Sequence, residues 1–329
     1  MKEVIMMSLK SRAKFFGIIC VSIFVFAIVC LTVGEATAAK FIRLKSSSLG
    51  GSWYAGGAAW AKLITDNYPE YVAINVAAPG LDNESLKRLA RKECELVFLT
   101  GPGAYNAYKG VPPTWKKPQK ISGLFGLWPG VINAIVMADS KFKVLQDLKG
   151  ASIATYIPGD INGEQVLALL KHHGIGEKDA KFYRIMKADA SRMFIDKRVD
   201  AIIYYFGYGH ANLKEISASR KIRFLPPDPE MVKGFMEENP FYYIGEFGEE
   251  FGVPNQKQLI GPYLTGCRAD APVDMIYKVV KAWFDNLDWL KRVLPSNIPY
   301  MNVKNPRAGV PLPLHPGAEK YFKEAGIIK

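Results

Sequence analysis

Histidine and cysteine are scarce in this 329-residue chain, four of each, and that scarcity narrows the available chemistry. His172, His173, His210 and His315 fall in no metal-ligand spacing with cysteines or carboxylates. The adjacent His172 and His173 would point about 100° apart on a helix, a poor chelate. Asp160-Ile161-Asn162-Gly163-Glu164 lacks the third acidic ligand and the distal glutamate of a calcium loop, so no metal is expected. Gly-x-Ser-x-Gly elbows and phosphate-binding lysine loops are missing as well. Basic residues are interspersed with acids, which excludes a nucleic-acid stripe. The chain is therefore expected to be no enzyme and to carry no cofactor, since no nucleophile, base and orienter come as a set.

A long apolar run occurs once, from Phe15 to Val33, after Lys10, Arg12 and Lys14 and before Glu35-Ala36-Thr37-Ala38-Ala39. Basic, apolar and small-residue segments in that order read as a secretory signal peptide over residues 1–38, cleaved near Ala38. A retained anchor is the alternative, because about 19 apolar residues just span a bilayer. The mature chain, about 290 residues long, is expected in the periplasm and is large enough for two lobes. Cys20 and Cys30 leave with the leader, so Cys94 and Cys267 remain, expected as unpaired, semi-buried thiols. The full chain carries +12 and the mature part about +10, which suits an anionic ligand or simply solubility.

What is present is an alternation of short apolar runs with longer amphipathic ones. Phe41–Lys45, Val72–Ala77, Leu96–Thr100, Asn133–Ala138, Ser152–Tyr156, Lys181–Ile185, Ala201–Tyr205 and Tyr263–Arg268 read as strands. Ala55–Asp66, Asn83–Arg91, Gly163–His173, Ala188–Asp196, Val273–Leu294 and Glu319–Ala325 read as helices. Such a rhythm argues for an α/β architecture with largely parallel sheets.

Four strand-to-helix junctions share a chemistry. Ser48, Gly50, Gly51, Ser52, Trp53 and Tyr54 form the first; glycines there let the backbone turn and expose amides, while the two aromatics can wall a pocket. Gly80, Asp82, Asn83 and Ser85 form the second, Thr100 and Gly101 the third, and Pro158, Gly159, Asp160 and Asn162 the fourth. All four can open onto one sheet edge, where ligands of open α/β folds collect. Helix capping is the plain alternative for Asp82, Asn83 and Asp160. Trp128 and the run Tyr204, Tyr205, Phe206 add aromatics at loop and strand ends, to be weighed against core packing.

Several segments together resemble the TAXI family, the extracytoplasmic solute receptors of TRAP transporters. They are Gly50-Gly51-Ser52-Trp53-Tyr54, Leu96–Thr100 with Ala104-Tyr105-Asn106-Ala107-Tyr108, Leu145–Gly150, Arg198–Ile202, and Pro313-Leu314-His315-Pro316-Gly317-Ala318 with the helix that follows. The resemblance implies a two-lobed periplasmic-binding-protein fold of the second class, with mixed sheets and flanking helices. Lobe 1 would hold residues 39–130 and 255–329, and lobe 2 residues 131–254. It also implies a monomer that captures a small organic ligand between the lobes and delivers it to TRAP-type membrane subunits. A sensory receptor feeding a signalling partner is the second reading. Gly80-Leu81-Asp82-Asn83-Glu84-Ser85 and Gly159-Asp160-Ile161 depart from the family pattern. Glutamate, a ligand of known relatives, is therefore not the expected solute; one with an apolar or aromatic portion is.

Overall fold

The computed structural model describes residues 39–47, 52–77 and 82–329. The leader reading, 1–38, lies outside the described residues, as do Ser48, Gly50, Gly51 and Gly80. Two sheets organise the rest. The first has the order β2-β1-β3-β12-β4, built from β1 (Lys40–Lys45), β2 (Tyr71–Val76), β3 (Leu96–Thr100), β4 (Ile121–Gly126) and β12 (Tyr263–Arg268). The second has the order β10-β11-β5-β8-β6-β7, with β9 also on β5. Its strands are β5 (Gly130–Met137), β6 (Ser152–Thr155), β7 (Lys181–Arg184), β8 (Ala201–Gly207), β9 (Ile222–Leu225), β10 (Tyr243–Phe247) and β11 (Gln256–Gly261).

Both sheets are mixed. β1 lies parallel to β3, and β6 lies parallel to β7 and β8, as the strand–helix alternation predicts. β12 runs antiparallel to β3 and β4, and β5 antiparallel to β8, β9 and β11. β5 and β12 each enter their sheet from a strand of the other sheet, through Leu127–Pro129 and Pro262, and lie there antiparallel to their neighbours. β11, grouped with the first lobe in the sequence reading, is a strand of the second sheet.

Each sheet is covered on both faces. In the first, α1 (Ser52–Asn67) and α8 (Val273–Phe284) bury Trp60, Ile276, Val279 and Trp283 against Ile42, Leu44 and Phe125. Trp60 Nε1 donates to the Val279 carbonyl at 2.7 Å, which satisfies a buried donor and ties the two helices. On the other face, α2 (Asp82–Ala90) and α3 (Gly101–Lys109) bury Leu86, Leu89 and Ala104 against Val97 and Leu99. In the second sheet, α4 (Ile161–His172) and α7 (Pro229–Glu238) cover one face, and α5 (Lys187–Ile195) and α6 (Ala211–Ser219) the other.

The helix expected over Val273–Leu294 is two helices, α8 and α9 (Leu287–Val293). At the break, Asp285 accepts from the Tyr321 hydroxyl at 2.7 Å and from Lys281 Nζ at 2.5 Å. Tyr321 belongs to α10 (Pro316–Glu324), so tertiary anchoring ends α8 where no proline or glycine signals it. Cys94 and Cys267 are both free and buried. They face opposite sides of the first sheet, Cys94 with Leu86 and Leu89, and Cys267 with Met275 and Val279, so they cannot meet.

Candidate functional site

The chain passes between the sheets twice at strand level, through Leu127–Pro129 from β4 to β5 and through Pro262 from β11 to β12. Beside these crossings the parallel strands end. β1 stops at Lys45 and β3 at Thr100, with Tyr263 opposite Thr100 at the start of β12. On the second sheet, Gly207 at the end of β8 pairs with Gly130 at the start of β5. Carboxyl ends of parallel strands are where open α/β sheets bind ligands.

Asp82 opens α2 and is 5 % exposed. Its carboxylate accepts from the Thr100 amide at 3.3 Å and from the Thr100 hydroxyl in a short bond. Thr100 is also the N-cap of α3, its Oγ accepting from the Gly103 amide at 3.3 Å. Gly103 has no room for a Cβ because the Asp82 carboxylate lies against it. Burial pushes the Asp82 carboxyl up to about 7; the charge of Asp160 adds to that, and the Thr100 bonds and Lys45 oppose it.

Asp160 answers from the second sheet. It caps α4, accepting from the Asn162 amide at 2.9 Å and from Asn162 Nδ2 at 3.2 Å. The capping alternative therefore holds for Asp160, yet the carboxyl is also raised by burial. Gly159, before it, takes the left-handed φ of 82° that favours glycine. Pro158 and Gly159 are exposed, whereas Asp160 and Asn162 are buried.

Lys187, at the start of α5, is the cation on this side. Its Nζ donates to the Tyr205 carbonyl at 2.5 Å, lies 3.3 Å from His210 Nε2, and stands over the Phe206 ring at 5.0 Å and the Tyr156 ring at 5.7 Å. Burial lowers it to about 8 and holds His210 well below the ordinary histidine range. Aromatic faces and a carbonyl replace the water that the ammonium gives up.

The aromatic candidates divide. Half-buried Trp53 meets Tyr263 edge-on at 4.7 Å, and Tyr263 lies 6.0 Å from Tyr205. Tyr205 shares a short hydroxyl bond with Tyr242, and its amide donates to the Tyr156 hydroxyl at 3.0 Å. Trp128 and Phe206 are fully buried; the Trp128 ring packs where a Cβ on Gly56 would come within 2.7 Å. The Tyr204 hydroxyl donates to the Ile185 carbonyl at 3.0 Å, inside the second core. Half-buried Tyr54 accepts from Asn75 Nδ2 at its carbonyl, 3.0 Å. Ser52 and Asn83 are half-buried in the first turns of their helices, Ser85 is buried under α2, and Gly101 packs against Pro262. A cavity of about 330 Å³ beside the crossings is walled by Leu127, Pro129, Pro262, Tyr263, Tyr243 and Tyr300.

Lys45, Tyr156, Lys187, Tyr242 and Tyr263 were not singled out by sequence reasoning. Tyr263 carried a faint signal, an aromatic at the first position of a strand after Gly261-Pro262. Lysine carries none, because in sequence it reads as solvated surface.

A model of the NMT1-like family matches residues 44–326. The chain belongs to the NMT1-like family. Among solved structures, this NMT1-like chain is similar to the periplasmic aliphatic sulphonate-binding protein SsuA from Escherichia coli (16% identity, TM-score 0.50, 86% of this chain and 78% of that one). It is also similar to XAC2383 from Xanthomonas citri, solved bound to ATP (11%, TM-score 0.52, 88% and 97%). A third is a TctC solute-binding protein from Polaromonas (13%, TM-score 0.50, 78% and 88%). At these identities the likeness speaks for the fold, which is that of the two-lobed periplasmic binding proteins.

Proposed function

We propose that the chain is an exported solute receptor of the TAXI type, which closes on a small organic acid with an apolar or aromatic portion and hands it to TRAP-type membrane subunits. The observation that carries this reading is the convergence of polar groups from both sheets, buried Asp82 with Thr100 and buried Asp160 with half-buried Lys187, at the strand ends beside the two crossings. Lobes divided at Leu127–Pro129 and Pro262 would rotate about those links and enclose Trp53, Tyr205 and Tyr263 with the solute. Tyr54, Ser52 and Asn83, half-buried on the first sheet's side, are the further contacts this reading assigns. Energy for transport would come from the membrane subunits.

A thermal-shift screen of the mature protein against dicarboxylates, aromatic acids and amino acids tests the reading, because a solute that binds only the folded state raises its melting temperature. At least one organic acid should give a saturable shift. If none does across the screen while some substrate is turned over, the receptor reading is wrong. N-terminal sequencing of the secreted product checks export, with Ala39 expected as its first residue.

A further inference from the structure

Lys45 is 1 % exposed, and its Nζ has no hydrogen-bond partner. It is the last residue of β1 and pairs with Val97, so its side chain shares the sheet face covered by α2. The nearby carboxylates are already engaged. Both Asp82 oxygens accept from Thr100, and Glu84 is held by Arg88 at 3.0 Å and Arg91 at 3.5 Å. The Ser46 hydroxyl beside it donates to Asn75 Oδ1 at 2.8 Å. Burial lowers the Lys45 ammonium, and the charge of Arg88 lowers it further. A buried ammonium with no acceptor is costly, and a fold retains one where something else supplies the acceptor.

Place and chemistry agree on what that is. Lys45 ends β1 as Thr100 ends β3, at the same edge as Asp82, which Thr100 holds. The other cation described at the site, half-buried Lys187, already has the Tyr205 carbonyl. We infer that Lys45 is the anion subsite of the cleft: its unpartnered ammonium binds the carboxylate of the incoming solute. This rests on the receptor reading above, and adds which residue reads the acid group and that the amide of the same acid is rejected. An anion at Lys45 also sits near Asp82, so a bound carboxylate holds the Asp82 proton on.

The test uses the mature protein, matched acid and amide probes (succinate with succinamide, benzoate with benzamide, glutamate with glutamine), and the variants Lys45→Met and Lys45→Arg, read by thermal shift and calorimetry. Acids should shift the wild type and their amides should not. Lys45→Met should weaken the best acid at least ten-fold while its unliganded melting temperature equals or exceeds that of the wild type, since a buried unpaired charge has been removed. Lys45→Arg, which keeps the charge, should retain part of the affinity. Wild-type affinity in Lys45→Met, equal binding of acid and amide, or a large loss of unliganded stability in the methionine variant overturns the inference and leaves the receptor reading standing. Failure of every acid probe to shift the wild type, while another class of solute in the broader screen does, also overturns the inference and leaves the receptor reading standing.

Discussion

Asp82 offers the sharpest test of the site's electrostatics. Its carboxyl titrates near 3.8 when the chain is unfolded and near 7 in the fold, mainly because burial penalises the charge. Between those values the unfolded chain gives up a proton that the folded one keeps, so stability falls as pH rises from about 4 to about 7 and levels off above. At 1.36 kcal/mol per unit the full swing is at most about 4 kcal/mol. Asp82→Asn keeps an oxygen that can accept the Thr100 amide and hydroxyl, and it does not titrate. Denaturant melts of the unliganded wild type and variant from pH 4 to pH 9 should therefore diverge, the variant gaining on the wild type by about 2–4 kcal/mol before the curves run parallel. Taking the difference cancels Lys187 and the buried histidines, which titrate in both proteins, whereas Asp160, whose charge reaches Asp82, cancels only in part. A pH-independent difference, or a wild type that gains on the variant with rising pH, would refute the account of Asp82 as a desolvated acid.

Other consequences follow from packing. Trp53→Ala removes the edge contact with Tyr263, worth about 1 kcal/mol, so unliganded stability should drop slightly while the ligand-induced melting shift collapses; a large drop in stability instead marks Trp53 as core. Gly317→Ala drives a methyl into the Val273 carbonyl and to 2.8 Å from the Tyr277 amide, and should cost about 3 kcal/mol or more in a denaturant melt. Cys94 and Cys267 sit on opposite sheet faces with both thiols pushed up by burial, Cys94 to about 12. Thiol labelling should therefore be slow in the native protein, count two in denaturant, and be unchanged by prior reduction.

The fold was legible where residues declare their neighbours. Leu96–Thr100 and Tyr263–Arg268 are strands with the bounds read from sequence; for the first, a continuous apolar run between turn residues describes a strand buried on both faces. β4, β9, β10 and β11 were missed, β4 because Gly123 and Gly126 interrupt its apolar run. Ile222–Leu225 is too short to show a period, Tyr243–Phe247 lies at a sheet edge with exposed positions, and Gln256–Gly261 buries Gln258, which reads as surface. Lys45 and Lys187 carried no signal in the sequence. Whether Lys45 is solvated or entombed depends on what α2 lays over it, and no local pattern encodes that.

The most specific family segment, His315-Pro316-Gly317-Ala318, shows why family and ligand are answered by different residues. His315 caps α10, accepting from the Gly317 amide at Nδ1 (3.1 Å), while Nε2 lies 3.1 Å from the Ala271 carbonyl just before α8. Its own amide donates to the Gly123 carbonyl at 3.0 Å. Gly317 lets α10 approach the Val273 carbonyl closer than any side chain would permit. None of these partners is a site candidate, so the segment reports how α8, α10 and β4 are clamped together. A clamp is indifferent to the solute, and any receptor built this way needs it. The residues proposed to read the solute, Asp82, Asp160 and Lys45, lie elsewhere, at the starts of α2 and α4 and at the end of β1.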